Sequence, residues 1–319
     1  MRYHITHITT YAYAEKISTC HNQVHLAPRN TAWQSCENHR VNIRPEPADR
    51  DKRIDFFGNQ VEYFVILQPH ARLTVSSTSR VTVDRQPPAL ADSPPWESVA
   101  ELLQRDRQQS TLQARQFIYA SPRIPVAPAT MQITVPASET TSPAGNGDAA
   151  TSHASFFDEV RSYTAESFPP GTPLAEAVRD LTRRIHADFV FDGKATTLNT
   201  PVEQAFGQRR GVCQDFAHIQ IVCLRSLGLA ARYVSGYLRT DAPPGRPRLV
   251  GADASHAWVS VFCGELGWID FDPTNDVVPT DAHITLAWGR DYDDVCPIQG
   301  VFLGGGKHTM STSVDVRPE

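Results

Sequence analysis

The sequence predicts an α+β fold: an antiparallel β domain first, then one apolar helix packed on a second antiparallel sheet. Three observations predict it. Residues 1–85 alternate with a period of two, the repeat of a half-buried strand. An apolar run at 219–227, closed by Gly228, has the length and punctuation of a buried helix. Three strand-like segments follow it, at 231–239, 255–263 and 268–272, and the last two are joined by the turn Gly264-Glu265-Leu266-Gly267.

In the first domain, residues 1–85, Tyr3, Ile5, His7, Thr9, Tyr11 and Tyr13 share one strand face. Leu73, Val75, Ser77, Ser79, Val81 and Val83 share another. Gly58-Asn59 separates two strand-like runs and predicts a hairpin turn. Residues 86–155 form a connecting region. A proline-rich linker runs from Gln86-Pro87-Pro88 to Pro94-Pro95, and a short helix is expected from Glu97 to about Phe117. Residues 136–155, rich in Ser, Thr, Ala and Gly, read as a surface loop.

The second domain covers residues 156–306, and residues 307–319 read as a C-terminal strand or tail. Thr172-Pro173 is expected to cap a helix that carries Leu174, Val178, Leu181 and Ile185 at helical spacing. Thr200-Pro201-Val202-Glu203 predicts a second helix start, with Thr200 as N-cap and Glu203 closing a capping box. The apolar helix then begins at Gly211-Val212-Cys213-Gln214-Asp215-Phe216-Ala217-His218.

Chemistry concentrates in that last motif and in two strands downstream of it. Cys213 opens a helix, His256 lies in Ser255-His256-Ala257-Trp258, and Asp272 lies in Trp268-Ile269-Asp270-Phe271-Asp272-Pro273-Thr274. Only a thiolate attacks well, and the unpaired N–H groups and positive dipole of a helix start favour S⁻. An imidazole can take the thiol proton, and an acid on its other nitrogen fixes tautomer and orientation. Cys213, His256 and Asp272 supply those three parts in order. His218 lies one and a half turns into the helix, where packing is its expected role. Asp215 lies in the first turn, where the dipole alone favours a carboxylate. A zinc site on Cys213, His218 and His256 lacks short paired spacing and a fourth ligand.

These motifs resemble the transglutaminase-like superfamily of the bacterial type, whose core is a papain-like thiol-enzyme fold. The resemblance rests on residues 211–218, on Arg225-Ser226-Leu227-Gly228 through Gly236-Tyr237, on Ser255 to Trp258 and on Trp268 to Thr274. It continues through Gly289-Arg290-Asp291-Tyr292-Asp293-Asp294-Val295 to Gly304-Gly305-Gly306. A weaker resemblance, over residues 1–85, is to the β-rich domain that precedes bacterial members. The resemblance implies a Cys-His-Asp triad and a thioester intermediate, and its pattern Trp-x-x-x-Asp-x-Thr selects Asp272 over Asp270. Phe191 stands where relatives often carry Tyr, and phenylalanine donates no hydrogen bond.

The expected function is acyl chemistry on peptide or side-chain amides. Hydrolysis by a cysteine peptidase or amidase, transamidation and deamidation of protein glutamine all stay open. A silent binding module of the same fold is the reading from another class. The 319 residues carry a net charge of −5, which gives no reason to expect nucleic acid or an anionic membrane as partner. The expected partner is a peptide or protein substrate, and no cofactor or metal is called for. Met1 to His7 lacks an apolar leader pattern, so a cytoplasmic location is the default expectation. Cys20, Cys36, Cys223, Cys263 and Cys296 form no short repeated spacing with Cys213, which argues against a disulfide framework.

Overall fold

Strand β1 (Arg2–Val24) organises the first half of the computed structural model, which describes residues 1–126, 147–240 and 254–319. The chain divides into two compact units. The first comprises Met1–Pro87, Val234–Ala257 and Pro279–Glu319, and the second Pro88–Tyr233 and Trp258–Val278.

In the first unit β1 pairs antiparallel with β5 (His70–Val83), which also pairs with β2 (Gln34–Arg44). Its far end pairs with β4 (Gln60–Ile66), next to β3 (Asp49–Ile54). The turn between β3 and β4 is the expected one: Asp55 accepts from Phe57 N and Asn59 N, and Gly58 takes a φ of +78°. Burial follows the alternation, since Tyr3, Ile5, His7 and Thr9 point inward, as do the six alternating residues of β5 from Leu73 to Val83. A register shift between Ile17 and Thr19 then moves the buried face to Cys20 and Val24.

Two strands from the far end of the chain complete this sheet: β12 (Ile298–Gly304) and β13 (His308–Pro318) both pair antiparallel with β1. The linear divisions at 85 and 306 therefore differ from the compact units. Backbone N–H and C=O groups of β1 have to be paired, and the partners come from residues some 300 positions away. Val314 and Val316 of β13 join Tyr3, Ile5, Val81 and Val83 in one apolar cluster, with Tyr237, Ile284 and Leu286. Burial pushes the pKa of His7 down to about 4. Its two ring nitrogens meet Tyr237 Oη and Thr9 Oγ1, each at 2.8 Å, so a neutral imidazole satisfies both.

The second unit is mostly helical: α1 (Trp96–Arg105), α2 (Gln109–Arg115), α3 (Gly147–Ala165), α4 (Leu174–Asp188), α5 (Val202–Gln208) and α6 (Cys213–Ser226). The single helix expected from Glu97 to Phe117 is two, parted where Asp106 accepts from Gln108 N and Thr111 Oγ1 instead of continuing the turn. Of the loop expected at 136–155, residues 136–146 lie outside the described residues, and from Gly147 onward the chain is helical. Helix α4 starts one residue later than expected. Pro173 is its N-cap, and the capping hydroxyl comes from Ser93, which accepts from Ala175 N at 2.8 Å. Thr200 does not cap α5 either: its hydroxyl accepts from Thr197 N, and Pro201 is the N-cap.

Two short strands, β6 (Val190–Phe191) and β7 (Arg210–Gly211), pair in parallel just before α6. Strands β8 (Ala231–Leu238), β9 (Ala254–Phe262), β10 (Trp268–Phe271) and β11 (His283–Gly289) make a four-stranded sheet in the order β10-β9-β8-β11. Among the described residues, no helix is long and apolar enough to cross a membrane.

Candidate active site

Helix α6 begins at Cys213 and is buried from Gln214 to Arg225. A helix apolar on all sides belongs in a core, and its few polar groups must be paired there. Gln220 Nε2 donates to Thr182 Oγ1 at 2.9 Å. Arg225, fully buried, donates to the carbonyls of Tyr119 at 3.0 Å and Ala231 at 2.9 Å. The helix ends as the sequence predicts. Gly228 takes a φ of +74°, its N–H bonds the carbonyl of Arg225, and Leu229 N bonds that of Leu224, a Schellman closure.

The other end is held by Asp215. Its Oδ2 accepts from Val212 N at 2.8 Å and from Thr196 Oγ1 at 2.6 Å, which fixes the turn leading into Cys213. Burial pushes the Asp215 pKa up, and those two bonds work against that shift. Gly211 is required by the same clamp, because a Cβ there would sit 2.5 Å from Asp215 Oδ2. The dipole reading of Asp215 was therefore too small a role. The spacing Val212-x-x-Asp215 carried the capping signal, whereas Thr196 left no local signature.

Arg209, just before β7, adopts a left-handed φ of +52°. Its guanidinium lies 4.5–4.8 Å over the rings of Phe206, Phe189 and Tyr163. The turn that ends at Cys213 is thus pinned from both sides.

All six cysteines are free thiols. Cys213 is partly exposed, whereas Cys223, further along the same helix, is buried and its pKa is pushed up to about 11. Burial likewise pushes Cys263 up to about 12.

His218 is buried and its ring packs against Tyr233, with centroids 5.1 Å apart. Desolvation pushes its pKa down to about 3, so it stays neutral in the core. So weak a base is poorly matched to taking a thiol proton at physiological pH.

His256 lies near the start of β9 and is buried, with its ring centroid 6.0 Å from that of His283 at the start of β11. Sequence reasoning passed over His283. Strands β9 and β10 pair antiparallel from Phe262↔Trp268 to Val259↔Phe271. Alternation along β9 sends His256, Trp258 and Ser260 to one face, and the register sends Asp270 to that same face. Trp258 Nε1 donates to Asp270 Oδ2 at 2.9 Å, so Asp270 is tied to the body of this ladder.

Asp272 is different. Strand β10 stops at Phe271, and Asp272 forms a lone bridge with Val277. Its Oδ1 accepts from Thr274 N at 2.9 Å, and its Oδ2 accepts from Asn275 Nδ2 at 2.7 Å. The carboxylate is fully buried and oriented by the turn that follows.

With this geometry in hand, comparison places the chain. A family model described as the bacterial transglutaminase-like N-terminal region matches residues 3–82, and one described as the transglutaminase-like superfamily matches residues 161–273. An uncharacterized protein of Mycobacterium tuberculosis is 38% identical over 326 residues, covering 99% of this chain and 93% of its own length. A second uncharacterized protein, of Mycobacterium leprae, is 30% identical, covering 99% of this chain and 98% of its own. A protein-glutamine gamma-glutamyltransferase of Pseudomonas aeruginosa is 34% identical over 128 residues, 34% of this chain and 19% of that protein. Among solved structures, one from Cytophaga hutchinsonii, provisionally assigned as a cysteine protease, superposes with a TM-score of 0.70. It is 18% identical and the match covers 99% of this chain and 90% of that one, a likeness of fold.

Proposed function

The chain belongs to the transglutaminase-like superfamily, and on that premise we propose that it is a thiol enzyme acting on peptide or side-chain amides through Cys213, His256 and Asp272. The observation that carries this reading is the contrast along α6. One thiol stands partly exposed at the first residue of a helix whose entry turn is clamped, while the thiol further in is buried and suppressed. A rigid, accessible cysteine at the positive end of a helix is what thiolate chemistry requires.

In this mechanism the Cys213 Sγ attacks the amide carbon, and the carbonyl electrons move onto oxygen. The oxyanion is stabilised by N–H groups of the first helical turn. On collapse the C–N bond breaks, and the proton taken up by His256 passes to the departing amine. A thioester remains. Water then attacks it, His256 receives the water proton, and the C–S bond breaks to release the acid and the thiol. Asp272, held by the Thr274–Asn275 turn, keeps the imidazole in one tautomer and orientation.

Hydrolysis is the reaction proposed, because water is present at high concentration and nothing in the sequence singles out an amine acceptor. Transamidation is the second reading, favoured by the partial match to the Pseudomonas aeruginosa gamma-glutamyltransferase. Incubation with a peptide library and an excess of labelled primary amine, read by mass spectrometry, decides between them. Cleaved peptides support hydrolysis, labelled adducts support transamidation, and Gln-to-Glu conversion alone supports deamidation. Unchanged peptides in all arms would overturn the enzyme reading and leave a binding module.

A further inference from the structure

The segment from Phe191 at the end of β6 to Leu198, before α5, is bonded to the proposed nucleophile's own turn and carries exposed apolar residues. Phe191 pairs directly across from Gly211, two residues before Cys213, and Asp192 N donates to the Gly211 carbonyl at 2.9 Å. The carbonyl of Leu198 accepts from Gln214 Nε2 at 3.3 Å, and Gln214 is the residue next after Cys213. Between them, Thr196 is bonded to Asp215. Three separate bonds therefore fasten this segment to residues 211, 214 and 215, on both sides of the thiol.

The segment carries two exposed apolar side chains. Phe191 is 58% exposed and Leu198 54% exposed, whereas the backbone beside them is committed to hydrogen bonds. The segment also has internal order. Lys194 N donates to Asp192 Oδ1, Thr197 N donates to Thr200 Oγ1, and Arg123 donates to the Leu198 carbonyl from another part of the unit. Ordering backbone costs entropy, and a loop tied down this thoroughly presents its side chains at fixed positions.

We propose that Leu198 and Phe191 form an apolar subsite for a hydrophobic side chain on the acyl group that Cys213 takes up. The inference rests on the reading of Cys213 as the attacking atom. A substrate whose carbonyl reaches Sγ lies beside the turn to which both residues are fastened. Filling an apolar subsite of this kind changes selectivity by roughly 10–200-fold between substrates differing in one small apolar group.

The test compares two alkylating reagents with one warhead: iodoacetamide and N-benzyl-iodoacetamide. Their rates at Cys213 are read by mass spectrometry on the full chain, and the ratio is set against that for glutathione. The expected ratio in the wild type is about tenfold above that of glutathione. Leu198→Asn and Phe191→Asn should return it toward the glutathione value. Leu198→Ala should do so in part, and Leu266→Asp, a similarly exposed leucine elsewhere, should leave it unchanged. A wild-type ratio equal to that of glutathione, or one insensitive to both loop variants, overturns the subsite. Peptide turnover is measured in parallel. Apolar-selective labelling without turnover keeps the subsite and rejects the acyl chemistry; turnover with an unselective ratio does the reverse.

Discussion

The ends of α6 and β10 and the interiors of the same elements hold matching residues in opposite circumstances. At the ends, Cys213 is partly exposed and Asp272 has left its ladder for a turn. Inside, Cys223 is buried with its pKa pushed up to about 11, and Asp270 is bonded to the Trp258 indole. Residue type is the same within each pair. What differs is the setting: Cys213 heads a helix whose first N–H groups lack intrahelical partners, and the turn after β10 turns its N–H donors onto the Asp272 carboxylate. On the proposed reading, the reacting groups stand where an element stops.

The largest test of that contrast is between the two thiols. Cys213→Ala should lower turnover by at least ~10³-fold, as loss of a nucleophile does. Unfolding in urea should be little changed, since the site is partly exposed. Iodoacetamide at pH 8 should label Cys213 well over ~100-fold faster than Cys223, because a thiol with a pKa near 11 is mostly protonated there. Equal labelling would break the comparison outright.

The two acids give the next largest effect. Asp272→Asn should slow turnover by roughly 10²-fold or more while the fold persists, since the orienting group in such triads holds a tautomer. Asp270→Asn should cost far less, because an asparagine oxygen still accepts from Trp258. Steady-state rates of both variants decide the matter, and a crippled Asp270 variant would reverse the assignment of end and interior.

A smaller effect sharpens the role of the clamp. Gly211→Ala places a methyl 2.5 Å from Asp215 Oδ2, so the carboxylate must move and release Val212 N or Thr196. The expected loss is about 1–3 kcal/mol in urea unfolding, with slower labelling of Cys213. Unchanged stability would mean that the entry turn is looser than its hydrogen bonds imply.

The smallest effect concerns His218 in the interior of α6. Its folded pKa is depressed to about 3, below the ordinary value near ~6.5. Above pH ~6.5 both folded and unfolded chains are neutral there, and the contribution to stability is full. As pH falls from 6.5 toward 3 only the unfolded chain takes the proton, and stability is lost progressively. His218→Gln should flatten that acid limb by up to ~1.4 kcal/mol per pH unit. His7 and His39, both pushed down to about 4 by burial, act in the same direction from the first unit, so some acid sensitivity persists in the variant.

Local signals in the chain proved legible and distant ones did not. The faces of β1 and β5 follow from period-two alternation, because one side of that sheet is buried. Cys213 at the head of α6 and Gly228 at its foot follow from a short motif. By contrast, Ser93 caps α4 from some 80 residues away, and Thr196 reaches Asp215 from another loop. No pattern within a window of residues encodes such a partner. Strand β12 escaped, and β13 read only as a strand or tail, for a related reason: much of their surface is exposed, so alternation is faint. His283 lay in a run with no motif around it.

The long ladder between β1 and β13 has a consequence for synthesis. Tyr3 pairs with Pro318, so β1 leaves the ribosome about 300 residues ahead of one of its partners. At ~5–20 residues per second that delay is roughly 15–60 s. For that interval the nascent β1 has one margin unpaired, with a row of free amides and carbonyls open to any passing strand. Production at low temperature or with added chaperone should therefore raise the soluble yield, and a chain cut before residue 298 should accumulate in inclusion bodies.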